Sequence, residues 1–206
     1  MLLAIDTSAG TSVAVVDYDR GVLAEASDPG TRGHAERIGR LISDALAEAR
    51  VVPAELSAVA AGMGPGPFTG LRVGIVAARA FALAAGKPVV NLVSHDAIAF
   101  GAYRGGENGP LLVVTDARRR EVYWSYYEGA DEAGLPVRVD GPALAKPDEL
   151  PLVRAARLDA ATASAADLGL LAEHTWKNGR PFASDQALYL RSPDVTPSAG
   201  PKRVTG

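Results

Sequence analysis

Between residues 62 and 74 the chain reads Gly-Met-Gly-Pro-Gly-Pro-Phe-Thr-Gly-Leu-Arg-Val-Gly, and no other stretch restricts the backbone so tightly. Glycine admits positive φ and close approach of other chain segments, while Pro65 and Pro67 each fix φ and remove an amide donor. The apolar run at 56–61 before it reads as a buried strand. The run at 71–85 after it reads as a helix, closed by Gly86 as C-cap and with Thr69 able to cap its start. A Gly-rich turn between strand and helix offers free amides to an anion, so phosphate binding is one reading. No Gly-Lys-Ser/Thr follows, however, and the prolines delete donors that a phosphate cradle would use. A rigid packing corner is the favoured reading.

The rest of the chain alternates strand and helix patterns. Apolar runs at 2–6, 12–17 and 22–26 predict a three-stranded meander, with Asp19-Arg20-Gly21 as a tight turn. Over 34–49, Ile38, Leu41, Ile42, Ala45, Leu46 and Ala49 share a helical face. Glu36, Arg37, Arg40, Asp44 and Glu48 lie opposite, with Glu36 and Arg40 spaced as an i,i+4 pair. A strand at 89–93 leads to Ser94, which can cap a helix beginning at His95. A loop at 104–109 separates a second set: strands at 111–115 and 122–127, a short strand around Val137 and Val139, and a short helix opening at Pro147. A helix at 163–176 carries Leu168, Leu171, Ala172 and Thr175 on one face and stops at Asn178-Gly179. Residues 152–158 offer no strand, so either the second half is shortened there or a segment near 152–157 is missing. From residue 192 the Pro/Ser/Gly-rich tail is expected to be disordered.

Composition excludes several chemistries. Cysteine is absent, so disulfide and thiolate sites are impossible. Net charge is −3, which gives no global nucleic-acid surface. No apolar run approaches the ~18 residues of a membrane span and no leader is evident, so a cytoplasmic protein without a membrane partner is expected.

Asp6 and Asp116 both end apolar strands, 110 residues apart, and a duplicated unit would bring them to one cleft. Facing carboxylates there could hold Mg²⁺ and orient phosphates. The favoured alternative is two Asx turns, each carboxylate accepting nearby backbone amides. His34 lacks a second histidine at i+4, where Ile38 stands, so no metal site is expected. Ser8, Ser12 and Thr69 have no nucleophile context, and no catalytic residue is assigned. Arg118-Arg119-Arg120 followed by Tyr123, Trp124, Tyr126 and Tyr127 can be read as RNA binding by stacking or, by strand alternation, largely as core. In the 71–85 helix, Val73, Ile75, Val76, Phe81 and Leu83 overfill one stripe, which argues for burial on several sides or a partner.

The segments Leu3-Ala4-Ile5-Asp6-Thr7-Ser8, Gly64-Pro65-Gly66-Pro67-Phe68-Thr69-Gly70-Leu71-Arg72-Val73-Gly74, Thr115-Asp116-Ala117-Arg118-Arg119-Arg120-Glu121-Val122-Tyr123-Trp124 and Leu188-Tyr189-Leu190-Arg191 resemble, in order, motifs of the TsaB (YeaZ) family. The resemblance implies an α/β fold of the actin/sugar-kinase/Hsp70 type, duplicated, with mixed sheets and a shortened second half. The halves would span 1–102 and 103–191, with a tail at 192–206. It implies a non-catalytic scaffold and activator of the complex that forms N6-threonylcarbamoyladenosine at position 37 of tRNAs reading ANN codons. The partners would be TsaD, which performs the transfer and carries a His-x-x-x-His iron site absent here, and TsaE. Contact with tRNA would be indirect, and a homodimer would be available in isolation. The partner face is assigned to His34, Arg37, Ile38, Leu41, Ile42, Phe68, Arg72 and Ile75. ATP or ADP would belong to the complex, with Asp6, Thr7 and Asp116 as the nucleotide contacts. The alternative is a stand-alone nucleotide-dependent phosphotransferase or peptidase-like hydrolase.

Overall fold

The structure is a computed structural model that describes residues 1–30 and 33–191. Two sheets follow one plan. In the first, β1 (Leu2–Asp6), β2 (Thr11–Asp17) and β3 (Gly21–Asp28) form an antiparallel meander. Helix α1 (His34–Ala49) crosses over and β4 (Ala58–Gly62) returns parallel to β1. Helix α2 (Phe68–Ala85) carries the chain to β5 (Val89–Leu92), parallel to β4, giving the order β3-β2-β1-β4-β5. After helix α3 (Ser94–Arg104) the plan restarts with the meander β6 (Leu111–Arg118), β7 (Glu121–Ala130) and β8 (Pro136–Ala145). Strand β9 (Ala156–Asp159) lies parallel to β6, in the order β8-β7-β6-β9, and helix α4 (Ala165–Lys177) follows. The duplicated α/β architecture with mixed sheets is therefore present. Among the described residues the second copy is the shorter, with one short turn at Pro147–Glu149 where the first has α1.

Strand β9 corrects the expectation that 152–158 holds no strand. Its pairing with Leu111–Val114 comes from the partner strand rather than from its own apolarity, since three of its four residues are exposed.

Helices cover both faces of the first sheet, so its strands are apolar on both. Leu3, Ile5, Val13 and Val15 pack with Ile38 of α1 and Leu71, Ile75 and Ala78 of α2. Leu2, Ala4, Ala14 and Val16 pack with Phe100 of α3 and Leu168, Leu171 and Ala172 of α4. Helix α4 returns to this sheet because its free N-terminal amides are satisfied there. Ser12 Oγ accepts from Ala165 N at 2.9 Å and the Glu25 carboxylate from Ala166 N at 3.2 Å. Ser164 adds a side-chain cap on Asp167 N. On the second sheet Tyr127 joins Ile98, Leu111 and Val113, while Trp124 joins Leu112 and Val114 under Leu150 and Val153. That split follows the expected strand alternation.

Several element ends move. Helix α2 begins at Phe68 with Pro67 at the cap position, so Thr69 lies inside the helix and caps nothing. Ser94 is the first residue of α3, and its hydroxyl is committed to Asp6 instead of to a cap. Arg40 pairs with Asp44 at 3.4 Å. Helix α2 also corrects the expectation about membrane-span length: its 18 residues are long and apolar enough by length and composition, but one side lies on the sheet. The 192–206 tail lies outside the described residues.

Candidate functional site

The Gly-rich corner is shaped by the end of β1. Thr7 Oγ1 donates to Gly70 O at 2.8 Å and accepts from Gly74 N at 3.0 Å. It thus stands between two groups that would bond each other in an uninterrupted helix. A Cβ at Gly74 would overlap the Thr7 side chain, and one at Gly62 would overlap the Asp6 carboxylate. At Gly66 it would meet Ser8 within 2.9 Å, and at Gly70 it would lie 3.1 Å from Thr7 O. Glycines at 62, 66, 70 and 74 therefore let β4 and α2 close onto Asp6-Thr7-Ser8. The packing-corner reading has a direct geometric basis.

Asp6 ends β1, whereas β6 runs two residues past Asp116, to Arg118, instead of ending there as expected. The two aspartates nevertheless repeat one turn and differ in access. Asp6 Oδ1 accepts from Ser8 N at 2.7 Å, and Asp116 Oδ1 from Arg118 N at 2.8 Å. Asp6 is buried, and its other oxygen accepts from Ser94 Oγ at 2.6 Å. Burial raises its pKa, and the bonds from Ser8 and Ser94 oppose the rise. Asp116 is exposed and pairs with Arg118 at 3.3 Å. The carboxylates do not face each other across open space, because Asp6 is shut behind Ser8. Among the described residues no group of three or more His, Asp or Glu side chains could hold a metal.

A cleft of about 1010 Å³ opens in front of this corner, between the starts of α1 and α2 and the β6–β7 hairpin. Thr7, Ser8, His34, Phe68, Thr69, Asp116, Arg118, Arg119, Tyr123 and Arg191 are among its lining residues. His34 Nδ1 lies 2.6 Å from Thr11 Oγ1, so this ring belongs to the cleft wall. At the hairpin, Arg118, Arg119 and Arg120 have φ of 66°, 52° and 62°. The two-residue loop Arg119-Arg120 closes the Arg118–Glu121 pair, as in a type I′ turn, which favours Asn-Gly. For an L-residue the left-handed region costs about 1–2 kcal/mol. Arg191 holds the hairpin base, donating to Ala117 O at 2.9 Å and pairing with Glu121 at 3.1 Å.

Behind the cleft, three consecutive residues of α3 reach three different places. Ser94 bonds Asp6 of β1. The His95 ring lies 2.9 Å from Ser125 Oγ and 2.9 Å from Thr115 Oγ1. Asp96 accepts from Tyr127 Oη at 2.8 Å and pairs with Arg138 at 3.0 Å. Burial lowers the His95 pKa to about 3, with Arg138 adding to the effect, and raises those of Asp96 and Tyr127.

The residues assigned to a partner face are not all at the surface. Ile38 and Ile75, at 8% and 5% exposure, belong to the core and are corrected to structural roles, because their side chains point at the sheet. Leu41 and Ile42 are half-buried against the same core. Arg37 is tied to Asp28 at 2.9 Å. Phe68 stacks under the Arg72 guanidinium at 3.7 Å and against Tyr189 at 4.8 Å. What α2 does present outward is Arg72, Val76, Ala80 and Leu83, with Val76 63% and Leu83 84% exposed. The surplus of apolar residues on this helix was the sequence signal for that stripe. Nothing in the sequence pointed to Arg191 as the hairpin's anchor.

The family model described as "TsaD: tRNA N6-adenosine threonylcarbamoyltransferase" matches residues 18–157. An uncharacterized protein of Mycobacterium tuberculosis is 43% identical over 210 residues, covering 96% of this chain and 95% of that one. The tRNA threonylcarbamoyladenosine biosynthesis protein TsaB of Escherichia coli is 34% identical over 147 residues, which is 71% of this chain and 63% of the relative. Among solved structures, YeaZ from Pseudomonas aeruginosa superposes with a TM-score of 0.75 at 29% identity, covering 93% of this chain and 99% of that one. The matching sequence, the duplicated sheets and the glycine corner agree: the chain belongs to the TsaB (YeaZ) family.

Proposed function

We propose that this chain serves the formation of N6-threonylcarbamoyladenosine in tRNA as a non-catalytic scaffold and activator, pairing with the TsaD subunit that performs the transfer and joined by TsaE. The modified base is adenosine 37 of tRNAs that read ANN codons. The observation that carries the reading is the outer face of α2. Val76 and Leu83 stand about two turns apart on that face, exposed, with Ala80 between them and Arg72 and Arg79 beside them. Small and aliphatic side chains on a helix permit close approach of another helix, and an aliphatic patch bordered by arginines suits a protein interface. The inaccessible Asp6 carboxylate leaves Asp116 as the one open acid of that pair in the cleft, which favours the scaffold over a phosphotransferase.

The test is size-exclusion chromatography with light scattering, on this chain alone and mixed with TsaD from the same organism. A discrete mixed complex is expected, and Val76→Asp with Leu83→Asp should weaken it at least tenfold while the chain stays folded, as a loss of ~1.4 kcal/mol or more requires. The same variant should dissociate any homodimer formed by the chain alone. Absence of a complex, combined with ATP hydrolysis by the isolated chain, would overturn the reading.

A further inference from the structure

The β6–β7 hairpin tip is built from residues that its backbone disfavours. Positive φ at three successive positions suits Gly, Asn or Asp, whose side chains tolerate that region, and here all three are arginine. Local stability has been given up at Arg118, Arg119 and Arg120 where a two-residue Asn-Gly turn would relieve it. An observed backbone outlier of this kind points to a use for the side chains. Arg119 and Arg120 are exposed, and Arg118 and Arg119 line the cleft. With Arg191 at the base, four arginines share the hairpin and the facing cleft wall with three carboxylates, Asp116, Glu121 and Glu36. The surrounding charge is therefore positive on a chain whose net charge is −3.

We infer that this hairpin tip contacts the phosphate backbone of tRNA directly. The inference rests on the proposed role in tRNA modification and deepens it by giving this subunit its own nucleic-acid contact. The chemistry is charge and bidentate hydrogen bonding from guanidinium to phosphate. It is not base stacking, because Tyr123, Trp124 and Tyr127 are buried and the half-buried Tyr126 is packed against the Leu112, Val114 and Trp124 cluster. Contacts of this kind position an RNA without reading its sequence. Arg191 holds the tip in place through Ala117 O, so the arginines are presented on a fixed turn.

The experiment replaces the tip with the turn its backbone prefers, Arg119→Asn with Arg120→Gly, and uses Arg119→Lys with Arg120→Lys as the charge-keeping control. Binding of a fluorescent tRNA transcript that reads an ANN codon is followed by anisotropy over a range of salt. It is measured for this chain alone and for its mixture with TsaD, and Tm is measured in parallel. The Asn-Gly variant should raise Tm by about 2–8 °C through relief of the turn. It should also weaken tRNA binding roughly tenfold and reduce the salt slope by about 1–2, or about one unit for each phosphate that is no longer neutralised. The lysine variant should keep most of the affinity and the slope, without the gain in Tm. Unchanged affinity and slope in the Asn-Gly variant, in the chain and in the mixture alike, would overturn the inference. Loss of the mixed complex with tRNA binding by the chain intact would also overturn it, making the tip a protein contact. Failure of the wild-type chain to pair with TsaD would count against the scaffold reading only, because tRNA binding by the chain alone is read separately.

Discussion

Thr7 uses one hydroxyl to satisfy a carbonyl and an amide of α2 that otherwise would satisfy each other, and Gly74 leaves the space for it. Gly74→Ala should therefore destabilise the chain by about 2–4 kcal/mol, because Thr7 is short, buried and unable to move aside. Thr7→Ala alone should cost about 1–3 kcal/mol. The double variant should cost at least ~1 kcal/mol less than the two separately, since removing the Thr7 side chain makes room for the new methyl and restores the helix bond. Urea unfolding of the four proteins checks this, and simple additivity would refute the insertion. The glycine spacing was legible in the sequence as a tight corner. Which residue filled that corner was not, because Thr7 lies 67 positions from Gly74 and local pattern carries no contact at that separation.

Helix α2 shows why a list of apolar residues is a weaker guide than their exposure. Ile75 and Val76 are neighbours in sequence, one at 5% exposure on the sheet and the other at 63% facing outward. Ile75→Asp should cost about 3–5 kcal/mol by placing a carboxylate in the core, while Val76→Asp should stay within about 1 kcal/mol of wild type. Thermal melts of the isolated chain separate the two. Periodicity placed α1 from residue 34 to 49, where it lies, and foresaw a helix in α2, but the overfilled α2 pattern could not say which apolar residues turn away from the sheet. Strand β9 was hidden for the converse reason. Arg157 and Asp159 mask a segment that is a strand only because β6 lends it a parallel edge.

At the scale of the whole molecule, the repeated run of apolar strand and aspartate was compatible with a duplication that the family resemblance implied, and both aspartates do carry the same turn. The connection between the copies was not legible: Ser94, His95 and Asp96 look like an ordinary helix start. His95 gives that connection a pH signature. Its ring stays neutral in the fold down to about pH 3, whereas in the unfolded chain it binds a proton below the ordinary value of 6.5. Above 6.5 neither state is protonated and the contribution of His95 is fully present. As pH falls below that, the unfolded chain gains a proton that the fold refuses, and stability declines toward pH 3 at up to ~1.4 kcal/mol per pH unit. Asp6 and Asp96, raised by burial, act in the opposite sense: their contribution is present in acid and is lost as pH rises through their folded values. The comparison must therefore be made against His95→Asn. Between about pH 7 and 5 the wild type should lose about 2 kcal/mol more than the variant in urea unfolding, and equal losses would refute the assignment.

One turn of α3 thus fastens β1 through Ser94, β6 and β7 through His95, and β7 and β8 through Asp96. Swinging one sheet against the other would break these bonds together, and those of Ser94 and His95 are buried, with no water at hand to replace them. The cleft in front of that turn therefore has its two walls, one from each sheet, tied to the same three residues, so a molecule that pushed them apart would have to break that tie first.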